Sequence, residues 1–86
     1  MNKINIKLYG IFRMLGSNDI QIEVSEQFSI LDLKKSLLNL IQNKQVPISW
    51  AIINASAIAV NDEVINEFDM IDHQMEFSIL PPVNGG

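Results

Sequence analysis

The residues best supplied for chemistry stand together at the end of the sequence, Leu80-Pro81-Pro82-Val83-Asn84-Gly85-Gly86. Paired prolines restrict the backbone and favour a stiff, extended stem. Two glycines carry no side chains, so they can enter a narrow channel and bring backbone close to a reacting group. Six residues from Pro81 reach roughly 20 Å when extended. The spacing describes a probe that ends in the Gly86 carboxylate, with Gly86 as the reacting residue. A disordered tail is the alternative, and the pairing of Pro-Pro-Val with a final Gly-Gly weighs against it.

Other chemistry is thinly supplied. His73 is the sole histidine, set in an acidic stretch where a solvated turn is the plainer reading. With no cysteine, disulfides, thiolate metal sites and cysteine nucleophiles are excluded. No second histidine stands at metal-ligand spacing, and no metal site is expected. Asp62 and Glu63 are adjacent, and neighbours on a strand point to opposite faces, so they do not form a catalytic pair. Asn84-Gly85-Gly86 is not followed by a helix start, so it is no phosphate cradle. These residues supply little for catalysis, and no bound cofactor is expected.

A net charge of -4 over 86 residues argues against a nucleic-acid partner, which would call for a basic face. After Lys44 there is no Lys or Arg, while Asp62, Glu63, Glu67, Asp69, Asp72 and Glu76 follow. That end carries either a field that steers a basic partner or a plain solvated surface. No apolar run approaches the ~20 residues of a membrane span, and the opening residues alternate without a signal-peptide block. A cytoplasmic location is expected.

The probe has to be held by something. Ile4, Ile6 and Leu8 alternate with Lys3, Asn5, Lys7 and Tyr9, the period of a half-buried strand. Gly10–Gly16 is a connection with apolar content, and Ile20, Ile22 and Val24 make a second strand, giving a hairpin. Ser29 and Asp32 open a helix. Ile30, Leu33, Leu37, Leu40 and Ile41 form its buried stripe, with Lys34, Lys35, Asn39 and Gln42 outside. Lys44 suits the last turn and Pro47 blocks continuation.

Residues 48–54 fit either a helix or a strand. Ala57–Val60 reads as a buried strand and Val64-Ile65 as a short edge strand. Met75, Phe77 and Ile79 define a last strand that Pro81-Pro82 ends. Hairpin, helix and later strands, with a crossover that sets a late strand beside the first, predict an α+β fold. It is the β-grasp, or ubiquitin-like, arrangement: a mixed sheet with one main helix across one face. Residues 1–80 would form the domain and 81–86 its extended tail.

The sequence resembles the small, MoaD-type subunit of molybdopterin synthase, a relative of the thiamine-pathway sulfur carrier and of ubiquitin. Lys7-Leu8-Tyr9-Gly10-Ile11-Phe12-Arg13 is similar to that family's opening strand and its arginine. Ala59-Val60-Asn61 looks like its strand end. Pro81-Pro82-Val83-Asn84-Gly85-Gly86 matches its closing PPVxGG element, the specific part. Where members often have an acidic-Gly-acidic turn, Asp72-His73-Gln74-Met75 stands here without a glycine.

The resemblance implies that an adenylating (MoeB-type) enzyme uses ATP to activate Gly86, and that sulfur then replaces an oxygen to give a thiocarboxylate. The tail would deliver that sulfur to a cyclic pterin inside the large (MoaE-type) subunit, in molybdenum cofactor biosynthesis. It further implies a heterotetramer with two large subunits at its centre. By strand parity Tyr9 and Leu80 point outward on neighbouring strands, and Val64 aligns with a partner-contacting position of the family. With Pro81, Pro82, Val83, Asn84 and Gly85 they form the expected partner-binding set. Arg13 suggests a polar contact with the activating enzyme, or is an ordinary surface arginine. The remaining readings are a carrier for thiamine, cysteine or a specialised metabolite, a ubiquitin-like protein modifier, and a non-covalent interaction module.

Overall fold

Alternation in the first two dozen residues writes the first two strands directly. In β1 (Asn2–Leu8) and β2 (Asp19–Val24) the apolar residues Ile4, Ile6, Leu8, Ile20, Ile22 and Val24 are buried. The two pair antiparallel with Ile4 opposite Ile22 and Ile6 opposite Ile20. The computed structural model describes residues 2–61, 63–65, 70–72 and 76–82. The expectations for His73, Met75 and Val83–Gly86, and for the acidic residues Asp62, Glu67 and Asp69, lie outside the described residues.

The connection from β1 to β2 is more ordered than its composition announced. Gly10–Leu15 forms a 3-10 helix, and its threefold period sorts the side chains. Phe12 and Leu15 are buried, while Ile11 and Met14 are exposed. Lys44 reaches back from the main helix and donates from Nζ to the Leu15 carbonyl at 2.9 Å.

A three-residue strand, β3 (Gln27–Ser29), leads into α1 (Ile30–Lys44). Ser29 caps the helix. Its Oγ accepts from the Asp32 N–H at 3.1 Å, and the Asp32 carboxylate accepts from the Ser29 N–H at 3.1 Å. This reciprocal box satisfies two backbone donors that the first turn leaves free. The helix ends at Gln45, whose left-handed backbone (φ 57°) lets the Val46 N–H return to the Ile41 carbonyl at 3.1 Å. Termination is therefore completed before Pro47.

One expectation for this helix fails. Lys34 is buried at 5% exposure, not outside. Its Nζ donates to the Asn54 carbonyl at 3.0 Å, near the end of a second helix, α2 (Trp50–Ala55). The aliphatic stem of a lysine packs as an apolar rod when its head finds an acceptor. The open reading of residues 48–54 is settled by Ser49, whose Oγ accepts from the Ile52 N–H at 3.3 Å and starts α2.

Strands β4 (Ala57–Val60), β5 (Glu63–Val64) and β7 (Phe77–Leu80) complete a five-stranded sheet of order β2-β1-β7-β4-β5. β7 lies parallel to β1 and antiparallel to β4. The late strand thus sits beside the first, as the crossover requires. A sixth short strand, β6 (Met70–Asp72), pairs with β3 in a separate two-stranded sheet. Across one face of the main sheet α1 buries Ile30, Leu33, Leu37 and Ile41 against Ile6, Leu8, Ile58, Phe77 and Ile79. The Phe28 and Phe77 rings meet at 5.7 Å between centroids.

Candidate functional site

The end of β7 determines where the probe begins. Phe77 and Ile79 face the core and Leu80 faces out at 36% exposure. Leu8 of β1 pairs with Ile79, so Tyr9 and Leu80 are next in register on parallel neighbours. Tyr9 keeps an extended backbone (φ -129°, ψ 151°) and is 40% exposed. Parity therefore holds through both residues, and they emerge on the same outer face of the sheet.

Two rows cross that face. Tyr9, Leu80 and Ala57 make the one nearer the tail, since Ala57 pairs with Leu80. Lys7, Ser78, Ala59 and Val64 make the next, through the pairings Lys7–Ser78, Ser78–Ala59 and Ala59–Val64. Among the described residues Val64 is the barest of the large apolar side chains, at 68%. Alanines between Leu80 and Val64 keep the surface low, so the rows form an apolar platform with one cation at its margin. Such a platform suits burial against another protein.

Pro81 leaves the platform against Gly10. Gly10 has φ +57°, a region that residues with a Cβ adopt at a cost. A Cβ built there would lie 2.8 Å from Pro81 Cγ. The glycine thus serves two needs, the left-handed turn out of β1 and close approach of the tail's root. In the sequence Gly10 stands out only as the start of the Gly10–Gly16 connection and within the opening-strand likeness. The usable signal was positional: Gly10 and Pro81 each follow an exposed residue, Tyr9 and Leu80, where neighbouring strands end. Pro82 is half-exposed, and Val83, Asn84, Gly85 and Gly86 lie outside the described residues.

Arg13 is exposed on the 3-10 helix, where with Lys7, Tyr9, Asn18 and Asp19 it lines a small groove of about 170 Å³ beside the platform. Ile11 (37%) and Met14 (54%) are two further exposed apolar side chains of this helix, and the sequence reading did not single them out as contacts. Asn61, last of the Ala59-Val60-Asn61 likeness, has a structural task. It adopts φ 51°, gives its N–H to the Glu76 carbonyl at 2.9 Å, and accepts from the Glu76 N–H at 3.0 Å through Oδ1. That pair clamps the end of β4 to the start of β7 and so sets the strand from which the tail departs.

A hairpin followed by a helix, with a parallel late strand in the sheet centre, is shared with several solved structures. SAMP1 of Haloferax volcanii, a small archaeal modifier protein, superposes with a TM-score of 0.68 at 16% identity, over 99% of this chain and 100% of that one. A Pyrococcus furiosus protein assigned as molybdopterin converting factor subunit 1 gives 0.71 at 20%, over 94% and 98%. The chain has the β-grasp, ubiquitin-like fold. A third β-grasp neighbour comes from a complex of subunits 1 and 2 of the Helicobacter pylori molybdopterin-converting factor, with a TM-score of 0.56 and 24% identity, over 99% and 100%. No protein-family model matches the chain, and no curated protein matches it by sequence. Among the described residues no helix is long and apolar enough to cross a membrane.

Proposed function

We propose that this β-grasp chain is the sulfur-carrier subunit of a molybdopterin synthase. The observation that carries the reading is the joint at Gly10 and Pro81, which roots the Pro-Pro-Val-Asn-Gly-Gly segment at the edge of an outward apolar platform. A carrier has two tasks, to dock and to present an acyl group. Tyr9, Leu80 and Val64 serve the first, and Pro81 to Gly86 serve the second. The neighbour solved as a complex of two converting-factor subunits supports a large-subunit partner.

In the proposed reaction an adenylating enzyme directs the Gly86 carboxylate at the α-phosphorus of ATP. A C–O–P linkage forms and pyrophosphate leaves. Sulfide then attacks the acyl carbon, and AMP departs with the C–O bond electrons. Gly86 is left as a thiocarboxylate, which the large subunit uses to sulfurate its pterin substrate. In this scheme Arg13, beside the platform, contacts the activating enzyme.

Incubation with ATP, an adenylating enzyme and a sulfide source tests this by intact mass. The expected change is the replacement of one oxygen by sulfur, lost when Gly86 is deleted. An unchanged mass with an adenylating enzyme active on its own carrier sinks the reading. A second reading, conjugation to lysines of other proteins, draws support from the modifier among the structural neighbours. Branched Gly86-to-lysine peptides in cell extracts, with no thiocarboxylate, would favour it.

A further inference from the structure

The strand order leaves β2 at the sheet edge opposite β5, and among the described residues no strand pairs with its outer side. The register identifies which backbone groups are free there. The Leu8 N–H donates to the Asn18 carbonyl at 2.8 Å, and the pairing continues through Ile6–Ile20 and Ile4–Ile22. Hydrogen-bonded and non-bonded pairs alternate along an antiparallel ladder. Counting by twos from Leu8 and Asn18, the N–H and C=O of Asp19, Gln21 and Glu23 point away from β1. Beneath this edge, between β2 and α1, runs an open groove of about 360 Å³ lined by Ile22, Glu23, Ser36, Asn39, Leu40 and Asn43.

The other side of β2 shows what such a strand accepts. On the outer face Lys3 lies opposite Glu23, Asn5 opposite Gln21 and Lys7 opposite Asp19. Asn5 Nδ2 donates to the Asp19 carboxylate at 3.2 Å. An arriving strand would place its outer side chains beside the same Asp19, Gln21 and Glu23, and its inner ones in the groove over Ile22 and Leu40. Opposite charges across strands attract and like charges repel. A second copy of this chain pairing edge to edge would set one Asp19–Glu23 row against another, which disfavours self-association.

We propose that β2 is a strand-addition site for an extended segment of another protein in which Lys or Arg alternates with small or apolar residues. The basic side chains meet Asp19 and Glu23 on the outer face, and the apolar ones enter the groove between β2 and α1. Backbone bonds to Asp19, Gln21 and Glu23 supply affinity, and the alternation supplies choice of partner. Six residues of β2 offer an edge of roughly 20 Å. The site needs nothing of Leu80 or Gly86; Asp19 also borders the groove at Tyr9 and Arg13, so Glu23→Lys alone, which should weaken the preference for the basic peptide, keeps the test apart from the carrier reading.

The test titrates the full chain with two short peptides, one alternating Lys with Val or Thr and the other with Glu in place of Lys. Amide hydrogen exchange is read residue by residue. The basic peptide is expected to slow exchange at Gln21 and Glu23 and to bind about tenfold tighter than the acidic one. Replacing both acids, Asp19→Lys with Glu23→Lys, should invert that preference. Gln21→Pro removes an outward N–H while leaving the β1 ladder whole, and should abolish binding with native spectral dispersion retained. The proposal is overturned by unprotected edge amides, by equal affinity for both peptides, by full binding to Gln21→Pro, or by edge protection from self-association alone.

Discussion

Gly10 carries two constraints that act on one atom. Its left-handed φ of +57° costs a residue with a Cβ about 1–2 kcal/mol, before any contact is considered. The same Cβ would stand 2.8 Å from Pro81 Cγ, so the tail's root must shift to admit it. Gly10→Ala should therefore lower stability by at least that backbone cost in chemical denaturation. It should also slow thiocarboxylation of Gly86 more than a surface change of equal stability cost. Arg13, three residues on, has no such double duty, and its exposed side chain makes it a candidate for contact and not for architecture. The exposure of Tyr9 and Leu80 was legible beforehand, because strand parity leaves only two faces. Lys34 was not. Polar periodicity placed it outside, and only the position of α2 gives its ammonium a buried carbonyl to meet.

At the scale of elements, the start of α1 was readable from two residues, Ser29 and Asp32, since the geometry of a cap is local. The paired short strands β3 and β6 were unreadable for the opposite reason. Three residues with one described core side chain, Phe28, give no alternation, and their pairing partner lies some forty positions away. The 3-10 helix falls between these cases: its threefold sorting of Ile11, Phe12, Met14 and Leu15 is plain once a period of three is tried. The cap also has a pH signature. Hydrogen bonds from the Ser29 N–H and hydroxyl hold the Asp32 carboxyl below its ordinary value, with Lys35 adding to the effect. A carboxyl depressed in the folded state stabilises fully above its unfolded value, about 3.9, and the contribution fades as pH falls through the lowered folded value. Ser29→Ala should cost about 1 kcal/mol at neutral pH. Asp32→Ala removes the carboxylate itself, and unfolding curves should show its penalty shrinking as pH falls below about 4; a constant penalty across that window would mean the carboxylate takes no part.

At the scale of the whole molecule, the folded body and the segment proposed to carry the chemistry meet at the outer face. Every described core side chain comes from Ile4 to Ile79, whereas the outer platform is built from residues such as Tyr9 and Leu80 that stand next to core residues in sequence. Leu80→Asp should consequently leave the thermal midpoint nearly unchanged while weakening large-subunit binding tenfold or more, about 1.4 kcal/mol, in a titration. A matching loss of fold would place Leu80 in the architecture instead. Two truncations locate the boundary between body and tail. Ending the chain after Pro82 keeps the contact with Gly10 and should change stability by less than about 0.5 kcal/mol. Ending it after Leu80 removes that contact and should cost about 1 kcal/mol more, the value of a half-buried proline ring. Both should lose the acyl activation proposed for Gly86. If denaturation instead gave the two shortened chains equal stability, Pro81 would be a passive stem, and Gly10 would owe its place to the turn alone.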